Sequence, residues 1–359
     1  MRSAVGLLGG MGRFVHADQR VLVKPNLLLP SHPDKAIITH PTVVRAVVRL
    51  VQEAGGRVLI ADNPGSPITR LAWLRAYEQT GLAAIAAETG AELEVEFRPR
   101  QHPFPGGRLL KAIDTSHFVD ECDVVISVSK LKTHGLMRFT GAVKNLFGTV
   151  PGMTKMAYHA KLQTVEQFAD MLLDVAAFVW PALNIMDAVV GMDGNGPSGG
   201  APFPIGAILA GTDPVAVDVA ALSLVDCEPT TIPTVAAAVR RGWCTGWVSD
   251  LAILGDDLVL HRVAGFRLPP GGRSDIASLP QFLRRWGVRH MVARPIVTDR
   301  CVDCGICIAN CPVQTIHRVD GRARIFPARC IYCYCCHEFC PEQAIELRRS
   351  SIGQVIAKI

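Results

Sequence analysis

The first 255 residues alternate between short apolar runs and segments in which apolar residues recur every three or four positions. Residues 20–24 form the first apolar run, and residues 41–54 show helical spacing until Gly55 and Gly56 end it. The same alternation predicts strands at 58–61, 93–97, 109–113, 124–128, 183–190 and 205–210, and helices at 68–90 in two pieces, 165–179, 214–225 and 234–241. Strands that alternate with helices indicate an α/β fold, with a mainly parallel sheet covered by helices on both faces.

The pattern becomes irregular near residue 255, and we expect the chain to divide there. Residues 256–294 are rich in proline and glycine, with two adjacent prolines and two adjacent glycines at 269–272, which is typical of a linker. Nine of the twelve cysteines follow, between Cys301 and Cys340. The predicted organisation is an α/β domain at 1–255, a linker at 256–294, a small α+β ferredoxin-like domain at 295–350 and a tail at 351–359.

Eight of these cysteines form two runs of one spacing, Cys-x2-Cys-x2-Cys-x3-Cys-Pro. Three thiolates at this spacing wrap one face of an iron–sulfur cubane, and the fourth cysteine ligates the other cluster in two-cluster ferredoxins. Zinc knuckles, the alternative, use paired Cys-x2-Cys units and do not need the Cys-Pro ending twice. The predicted ligands of one [4Fe-4S] cluster are Cys301, Cys304, Cys307 and Cys340, and those of the second are Cys330, Cys333, Cys336 and Cys311.

The surroundings of the two runs resemble the bacterial-type two-cluster ferredoxin module over about sixty residues. A hairpin is predicted at 316–326, a helical turn after each Cys-Pro, and a returning strand at 346–348. Cys335, a ninth cysteine inside the second run, departs from the ferredoxin pattern. We expect it to be a buried apolar filler beside the cluster, and the alternative is a redox-active or exchangeable ligand.

Composition and charge exclude several classes of protein. With 49% hydrophobic and 19% charged residues over 359 positions, the chain is neither disordered nor fibrous. The most apolar stretch, 168–192, is interrupted by aspartates, so we expect no membrane span, and without a clear signal peptide we expect a cytoplasmic location. The formal charge of +5 falls to about +1 if each oxidised cluster with its thiolates carries roughly −2. We therefore expect no binding of nucleic acid or of membrane surfaces.

Polar residues accumulate after the predicted strands, where a mainly parallel sheet gathers its ligands. Lysines there could bind an anionic substrate or a flavin phosphate, and a histidine can move a proton near neutral pH. We predict catalytic roles for Lys132, His134 and Lys144, with His159 and Lys161 as weaker candidates. The predicted substrate-binding residues are Lys24, Asn26, Lys130, Asn145 and Asp187. The alternative is that the lysines are solvated or ion-paired and that His134 is a hydrogen-bonded structural residue.

Five stretches resemble a family of uncharacterised proteins, domain-of-unknown-function family 362, many of which carry a C-terminal ferredoxin module. They are VLVKPNL at 21–27, SVSKLKTHG at 127–135, GAVKNLFG at 141–148, DAVVGMDGNGP at 187–197 and DPVAVD at 213–218. The resemblance implies the α/β fold and the descriptions iron–sulfur protein and oxidoreductase, but no substrate. Members usually begin with an additional strand and helix, whereas about twenty residues precede the Lys-Pro-Asn strand here.

These features predict an iron–sulfur oxidoreductase in which two [4Fe-4S] clusters pass electrons to a substrate, or to a flavin, at the strand ends of the α/β domain. A redox partner protein or a small-molecule donor would supply the electrons, and the substrate would be a small anion. The alternative is an electron carrier or a maturation factor for a metal or cofactor, whose α/β domain binds a ligand without catalysis. Neither the dinucleotide fingerprint nor the P-loop occurs in the sequence, so NAD chemistry and ATP hydrolysis are not expected.

Overall fold

The computed structural model describes residues 1–63, 69–269, 292–350 and 352. Its main sheet has seven strands in the order β3-β2-β1-β6-β8-β9, with β7 paired to β6. Strands β1, β2, β3, β6 and β8 are parallel, while β7 and β9 run antiparallel to their neighbours. The strands of this sheet are β1 (Arg20–Pro25), β2 (Arg57–Ile60), β3 (Glu92–Leu93), β6 (Val124–His134), β7 (Arg138–Thr140), β8 (Leu183–Asp193) and β9 (Ala201–Gly211), and β4 (Pro99–Pro103) and β5 (Ala112–Ser116) form a separate hairpin. The mainly parallel sheet is as predicted.

Nine helices of the described α/β segments connect or flank these strands. They are α1 (Arg2–Leu7), α2 (Pro41–Glu53), α3 (Arg70–Gln79), α4 (Leu82–Thr89), α5 (Ala142–Asn145), α6 (Gly152–Lys161), α7 (Val165–Val179), α8 (Pro214–Leu224) and α9 (Pro233–Arg240). None of them, and no helix elsewhere in the described ranges, is both long and apolar enough to cross a membrane.

Apolar side chains on both faces of the sheet are buried, which explains why its strands have continuous apolar runs. In β1, Val21 and Val23 pack into the hydrophobic cluster that contains the apolar face of α2, whereas Leu22 packs with Phe118 and Val125 in a different cluster. Successive side chains of a strand point to opposite faces, so this division places protein on each side of β1. Helices therefore cover the sheet on two faces, as predicted.

Two strands differ from the prediction in ways that matter for the site. Strand β6 continues six residues past residue 128, because β8 and the short strand β7 both pair with its extension. Lys130, Lys132 and His134 consequently lie inside a buried strand, not in a loop beyond its end. The strand predicted at 109–113 instead spans Ala112–Ser116, since the backbone N–H groups of residues 108–110 donate to the Asp174 carboxylate.

The ferredoxin module consists of two antiparallel strand pairs and two short helices. Strand β10 (Arg294–Val297) pairs with β13 (Ile345–Arg348), and β11 (Ile316–Val319) forms the predicted hairpin with β12 (Arg322–Ile325). The helices α10 (Ile306–Ala309) and α11 (Cys335–Glu338) precede the fourth cysteine of each run. The helical turns predicted after each Cys-Pro are therefore wrong, because the chain continues there through a simple turn toward the next strand.

The segment predicted as a linker begins as a tether packed on the α/β domain. Phe266 is buried, Arg267 forms an ion pair with Asp193, and the Arg267 carbonyl accepts a hydrogen bond from the Gly194 N–H. Residues 256–269 contain no helix or strand, and the division of the chain at this segment stays a prediction. Residues 270–291, which make up most of the predicted linker, lie outside the described residues, and so does nearly all of the predicted tail.

Candidate functional site

The cysteines of the ferredoxin module surround two small cavities. One cavity is lined by Cys301, Cys304, Cys307 and Cys340. The other is lined by Cys311, Cys330, Cys333 and Cys336. Each set combines three cysteines of one run with the fourth of the other, which is the exchange that the spacing predicts. Four thiolates around one small cavity are the donor set that a [4Fe-4S] cluster requires, so the residues present fit that group.

The two fourth cysteines have equivalent surroundings, as expected of an internal repeat. Cys311 Sγ accepts a hydrogen bond from the Thr315 N–H at 3.3 Å, and Cys340 Sγ accepts one from the Ala344 N–H at 3.2 Å. Hydrogen bonds to ligand sulfurs are one of the means by which a protein stabilises such clusters and sets their reduction potential. Two cysteines of each set are buried, and the difference in exposure lies in Cys304 of the first set, which is exposed, whereas Cys330 and Cys333 of the second are only partly exposed.

The second cysteine run packs directly against the α/β domain. His337 lies with one ring nitrogen 2.6 Å from the Ile345 carbonyl oxygen and with the other 3.1 Å from the Asn195 carbonyl oxygen. Ser198 donates a hydrogen bond to the His337 carbonyl, so the loop after β8 is held from both sides. The stretch DGNGP at 193–197, which belongs to one of the five stretches that resemble the family, thus serves as a docking surface for the ferredoxin module.

Both parts of the chain form the wall of one cavity, called here the interdomain cavity. The α/β domain contributes Asn26, Lys144, Lys155 and His159, and the ferredoxin module contributes Cys335 and Glu338. It encloses about 570 Å³ of non-atom space, with solvent at its mouth included. Leu27, Leu28, Met156 and Phe339 add an apolar part to the wall.

A network of buried polar groups supports the floor of this cavity. Lys24 Nζ lies 2.9 Å from Asp62 Oδ1 and 3.3 Å from Asn145 Oδ1, and the Asn145 amide also donates to Ser127 Oγ. A Cβ atom on Gly148 would lie 2.0 Å from Asp62 Oδ1, so only glycine lets the chain approach the ion pair this closely. Burial lowers the pKa of Lys24, while the Asp62 carboxylate opposes that effect.

Two further lysines, Lys144 and Lys155, line the cavity. Lys144 Nζ and Lys155 Nζ each lie 5.8 Å from the centre of the Phe147 ring, and Lys155 donates to the Asn63 carbonyl at 2.9 Å. Burial lowers the pKa of both ammonium groups, that of Lys155 to about 7. The positive charge of the cavity wall is therefore concentrated around one aromatic ring.

His134 lies behind Glu338 and outside the cavity lining. Its Nδ1 accepts hydrogen bonds from the N–H groups of Leu136 and Met137, and its Nε2 lies 2.9 Å from Glu338 Oε1. Burial, reinforced by Lys144, lowers the pKa of His134 to about 4, so the ring is neutral near pH 7 and carries its proton on Nε2. Burial alone would raise the pKa of Glu338, but the hydrogen bond from His134 and the charge of Lys144 hold it below its ordinary value.

Three of the predicted residues lie elsewhere in the sheet. Lys130 Nζ and Asp187 Oδ2 form a fully buried ion pair of 2.8 Å, and Asp187 also accepts the His40 N–H. Lys132 Nζ donates to the Ile37 carbonyl at 2.6 Å, and burial holds its pKa well below the ordinary range. All three groups have protein partners, so the geometry gives them a structural task.

The structure thus brings together part of the predicted set and adds residues to it. Asn26, Lys144 and Asn145 line the interdomain cavity, Lys24 supports them from below, and the weaker candidate His159 also faces it, whereas Lys161 is exposed at the end of α6. Sequence reasoning missed Asp62, Lys155 and Glu338. Asp62 follows the carboxyl end of β2, so the strand-end argument could have found it. Nothing in the sequence marked Lys155 or Glu338.

The fold and the cysteine pattern define an iron–sulfur protein of the electron-transfer class, in which an α/β domain is joined to a ferredoxin module. The chain belongs to the family described as "Domain of unknown function (DUF362)", which matches residues 21–223. Residues 295–341 match the family described as "4Fe-4S dicluster domain".

Two proteins of known sequence are similar to parts of the chain. The thylakoid-associated protein sll1697 of Synechocystis sp. is 37% identical over 249 residues, which cover 67% of this chain and 74% of that protein. A ferredoxin of Thermoanaerobacterium thermosaccharolyticum is 47% identical over 30 residues, 8% of this chain and 54% of the ferredoxin. Among solved structures, the lactate racemase apoprotein from Thermoanaerobacterium thermosaccharolyticum matches with a TM-score of 0.36 and 14% identity, over 58% of this chain and 52% of that one.

Proposed function

We propose that this protein is an oxidoreductase with two [4Fe-4S] clusters that passes electrons to a small molecule held in the interdomain cavity. The observation that carries the proposal is the position of Cys335. This residue lines the cavity, and its neighbours Cys333 and Cys336 belong to the four-cysteine set of the second cluster. A small molecule in the cavity would therefore contact a residue that is adjacent in sequence to a cysteine of the second cluster. We expect this proximity to suit direct electron transfer.

The two clusters would act in series. When bound, they supply one-electron transfer at low potential. The first set includes the exposed Cys304, so a redox partner protein or a small-molecule donor can approach it from solvent. The second set lies beside the cavity, as described above. The chain's own residues would exclude bulk water from the ligand and position it beside the Glu338 carboxylate, which His134 holds from behind.

A substrate-dependent oxidation of the reduced protein tests this proposal. Anaerobically purified holoprotein is reduced with dithionite, freed of excess reductant and mixed with chromatographic fractions of a cellular small-molecule extract, while visible absorption is followed. We expect one fraction to reoxidise the protein and to lose this effect in Lys144→Met, with iron content unchanged. Lys161→Met, at the exposed end of the helix that carries Lys155, is the matched control and should behave like the unchanged protein.

The electron-carrier alternative predicts a different outcome. If no small-molecule fraction reoxidises the reduced protein but a second redox protein does so at the same rate in Lys144→Met, the oxidoreductase proposal is overturned. Mass spectrometry of small molecules released from the purified protein adds a direct test, and it would also reveal the flavin that the sequence left open. The cytoplasmic location stays a prediction.

A further inference from the structure

One ammonium group at the interdomain cavity has no hydrogen-bonded or ion-paired partner. Lys24 is paired with Asp62 at 2.9 Å, and Glu338 lies against His134. In the part of the chain that the structure describes, the Lys144 ammonium has neither a hydrogen bond nor an ion pair; it lies 5.8 Å from the centre of the Phe147 ring, and the Glu338 carboxylate acts on it only through its charge. A half-buried cation without a hydrogen-bonded anion lacks the partner that such groups normally have.

Two uncharged polar atoms of residues in the wall also lack a hydrogen-bond partner among the described residues. His159 is 6% exposed, and its Nδ1 has no hydrogen-bond partner among the described residues. Its ring stacks on Phe168, with 4.5 Å between the ring centres, so the ring cannot turn easily to find another partner. Asn26 Oδ1, also contributed by the α/β domain, is buried and has no hydrogen-bond partner within the described ranges. Buried polar atoms are nearly always hydrogen-bonded, so unpaired atoms that share one cavity point to a ligand.

The remaining wall is apolar. Leu28, Met156 and Phe339 line the same space as the lysines, and the Phe147 ring lies beside both Lys144 and Lys155. An inorganic ion would leave this apolar surface in contact with water. A carbon skeleton that carries one acidic group would instead cover it while it satisfies the ammonium.

We infer that the interdomain cavity binds a small organic acid, with its carboxylate on Lys144 and its carbon skeleton against Met156 and Phe339. His159 Nδ1 and Asn26 Oδ1 are the groups available to the polar substituents of this ligand. Lysine binds carboxylate and phosphate alike as a point charge, so the anionic group is the shared chemistry and the experiment separates the two. The end of the ligand that faces Cys335 would be the reducible one, and this orientation alone rests on the proposed function.

Calorimetric titration of the oxidised holoprotein with acetate, benzoate and inorganic phosphate tests the site. We expect benzoate to bind more tightly than acetate because it also covers the apolar wall. Lys144→Met should weaken benzoate binding at least about tenfold, since a hydrogen bond to a charged group is lost. Lys144→Arg should retain most of the affinity, and Lys161→Met should change nothing.

Three results would overturn the inference. They are equal benzoate affinity in Lys144→Met and the unchanged protein, no binding of either carboxylate, and binding of phosphate alone. Iron content and the visible spectrum of each variant show whether a loss of binding reflects a loss of fold.

The outcome can be separated from that of the proposed function. If benzoate binding depends on Lys144 but no anion reoxidises the reduced protein, the anion site stands and the oxidoreductase proposal falls. If an uncharged compound reoxidises the reduced protein equally well in Lys144→Met, the oxidoreductase proposal stands and the anion site falls.

Discussion

Asp218 and Gly141 are in such close contact that a Cβ atom on Gly141 would lie 2.0 Å from Asp218 Oδ1. The Asp218 carboxylate uses this space to accept hydrogen bonds from the N–H groups of Ala142 and Val143, at 2.6 and 3.2 Å. These groups begin helix α5, which carries Lys144. The stretches GAVKNLFG and DPVAVD are therefore joined by these hydrogen bonds, which fix the start of α5 and with it the position of Lys144 in the cavity wall.

Gly141→Ala is expected to destabilise the protein by about 1–3 kcal/mol, because the added methyl group forces Asp218 and the start of α5 apart. Benzoate binding should weaken as well, since Lys144 moves with the helix. Chemical denaturation under anaerobic conditions and calorimetric titration measure the two effects. Gly6→Ala is the matched control: no atom lies within 4 Å of its added Cβ, and alanine is the better helix former by about 0.5–1 kcal/mol. Equal stability of the two variants would contradict the contact.

Asp187→Ala should cost about 3–5 kcal/mol in the free energy of unfolding, because Lys130 would keep a buried charge without its partner. The double variant Lys130→Met with Asp187→Leu should recover much of that loss, since no charge then remains buried. Arg322→Ala removes an ion pair in which Asp299 is 98% exposed, and it should change stability by less than about 1 kcal/mol. If Asp187→Ala abolished electron transfer while stability stayed unchanged, the ion pair would have a catalytic role after all.

Iron analysis should find about eight iron and eight acid-labile sulfide per chain in the anaerobically purified protein. Cys340→Ala should reduce the content to about four iron, and the surviving cluster should be the one beside the interdomain cavity. Cys335→Ala is the matched cysteine variant and should leave the iron content unchanged. Stoichiometric zinc, or loss of iron in Cys335→Ala, would reassign the ligands.

Anion binding should weaken as the pH rises through about 7, the pKa to which burial lowers Lys155. An amine is charged below its pKa, so below pH 7 Lys155 adds a second positive charge beside Lys144, and above it this charge disappears. The other groups acting on Lys155 are Asp62 and Glu338, which raise its pKa, and Lys24 and Lys144, which lower it. Calorimetric titration with benzoate across this range measures the effect. In Lys155→Met the pH dependence near 7 should vanish, and its persistence there would assign it to a different group.

Limited proteolysis is expected to cut first within residues 254–294, where prolines and glycines accumulate. The two fragments should nevertheless elute together on size-exclusion chromatography. His337 contacts Asn195, Glu338 contacts His134, and a Cβ on Gly135 would lie 2.6 Å from Leu347, so the module is packed tightly on the α/β domain. Separate elution of a folded ferredoxin module would favour a mobile carrier.

The sequence predicted the mainly parallel sheet because this follows from the alternation of strands and helices. The spacing of the cysteines also predicted which four line each small cavity, whereas their assignment as cluster ligands stays a prediction. The extension of β6 could not be predicted, since it depends on β7 and β8, and these bury polar residues that the sequence marks as loop. The partners of the individual lysines could not be predicted either. Lys24, Lys130 and Lys144 have similar neighbours in the sequence, yet Lys24 pairs with Asp62, Lys130 pairs with Asp187, and Lys144 forms no ion pair within the described part of the chain. That difference arises from long-range packing, which no local pattern encodes.

Helix α11 is only four residues long, yet it contains a cysteine of the second cluster set together with two residues that contact the α/β domain. Cys336 faces the second cluster cavity, Cys335 lines the interdomain cavity, and His337 and Glu338 reach the α/β domain. A segment this short has no stable helical structure of its own, because helix nucleation costs more than one turn returns. In the folded protein its position is fixed by tertiary contacts, through His337 and Glu338 on the α/β domain and through the cysteines that line the second cluster cavity. If iron insertion orders these cysteines, as the ligand assignment predicts, the wall of the interdomain cavity would be complete only in the metal-loaded protein, and the apoprotein would bind benzoate more weakly.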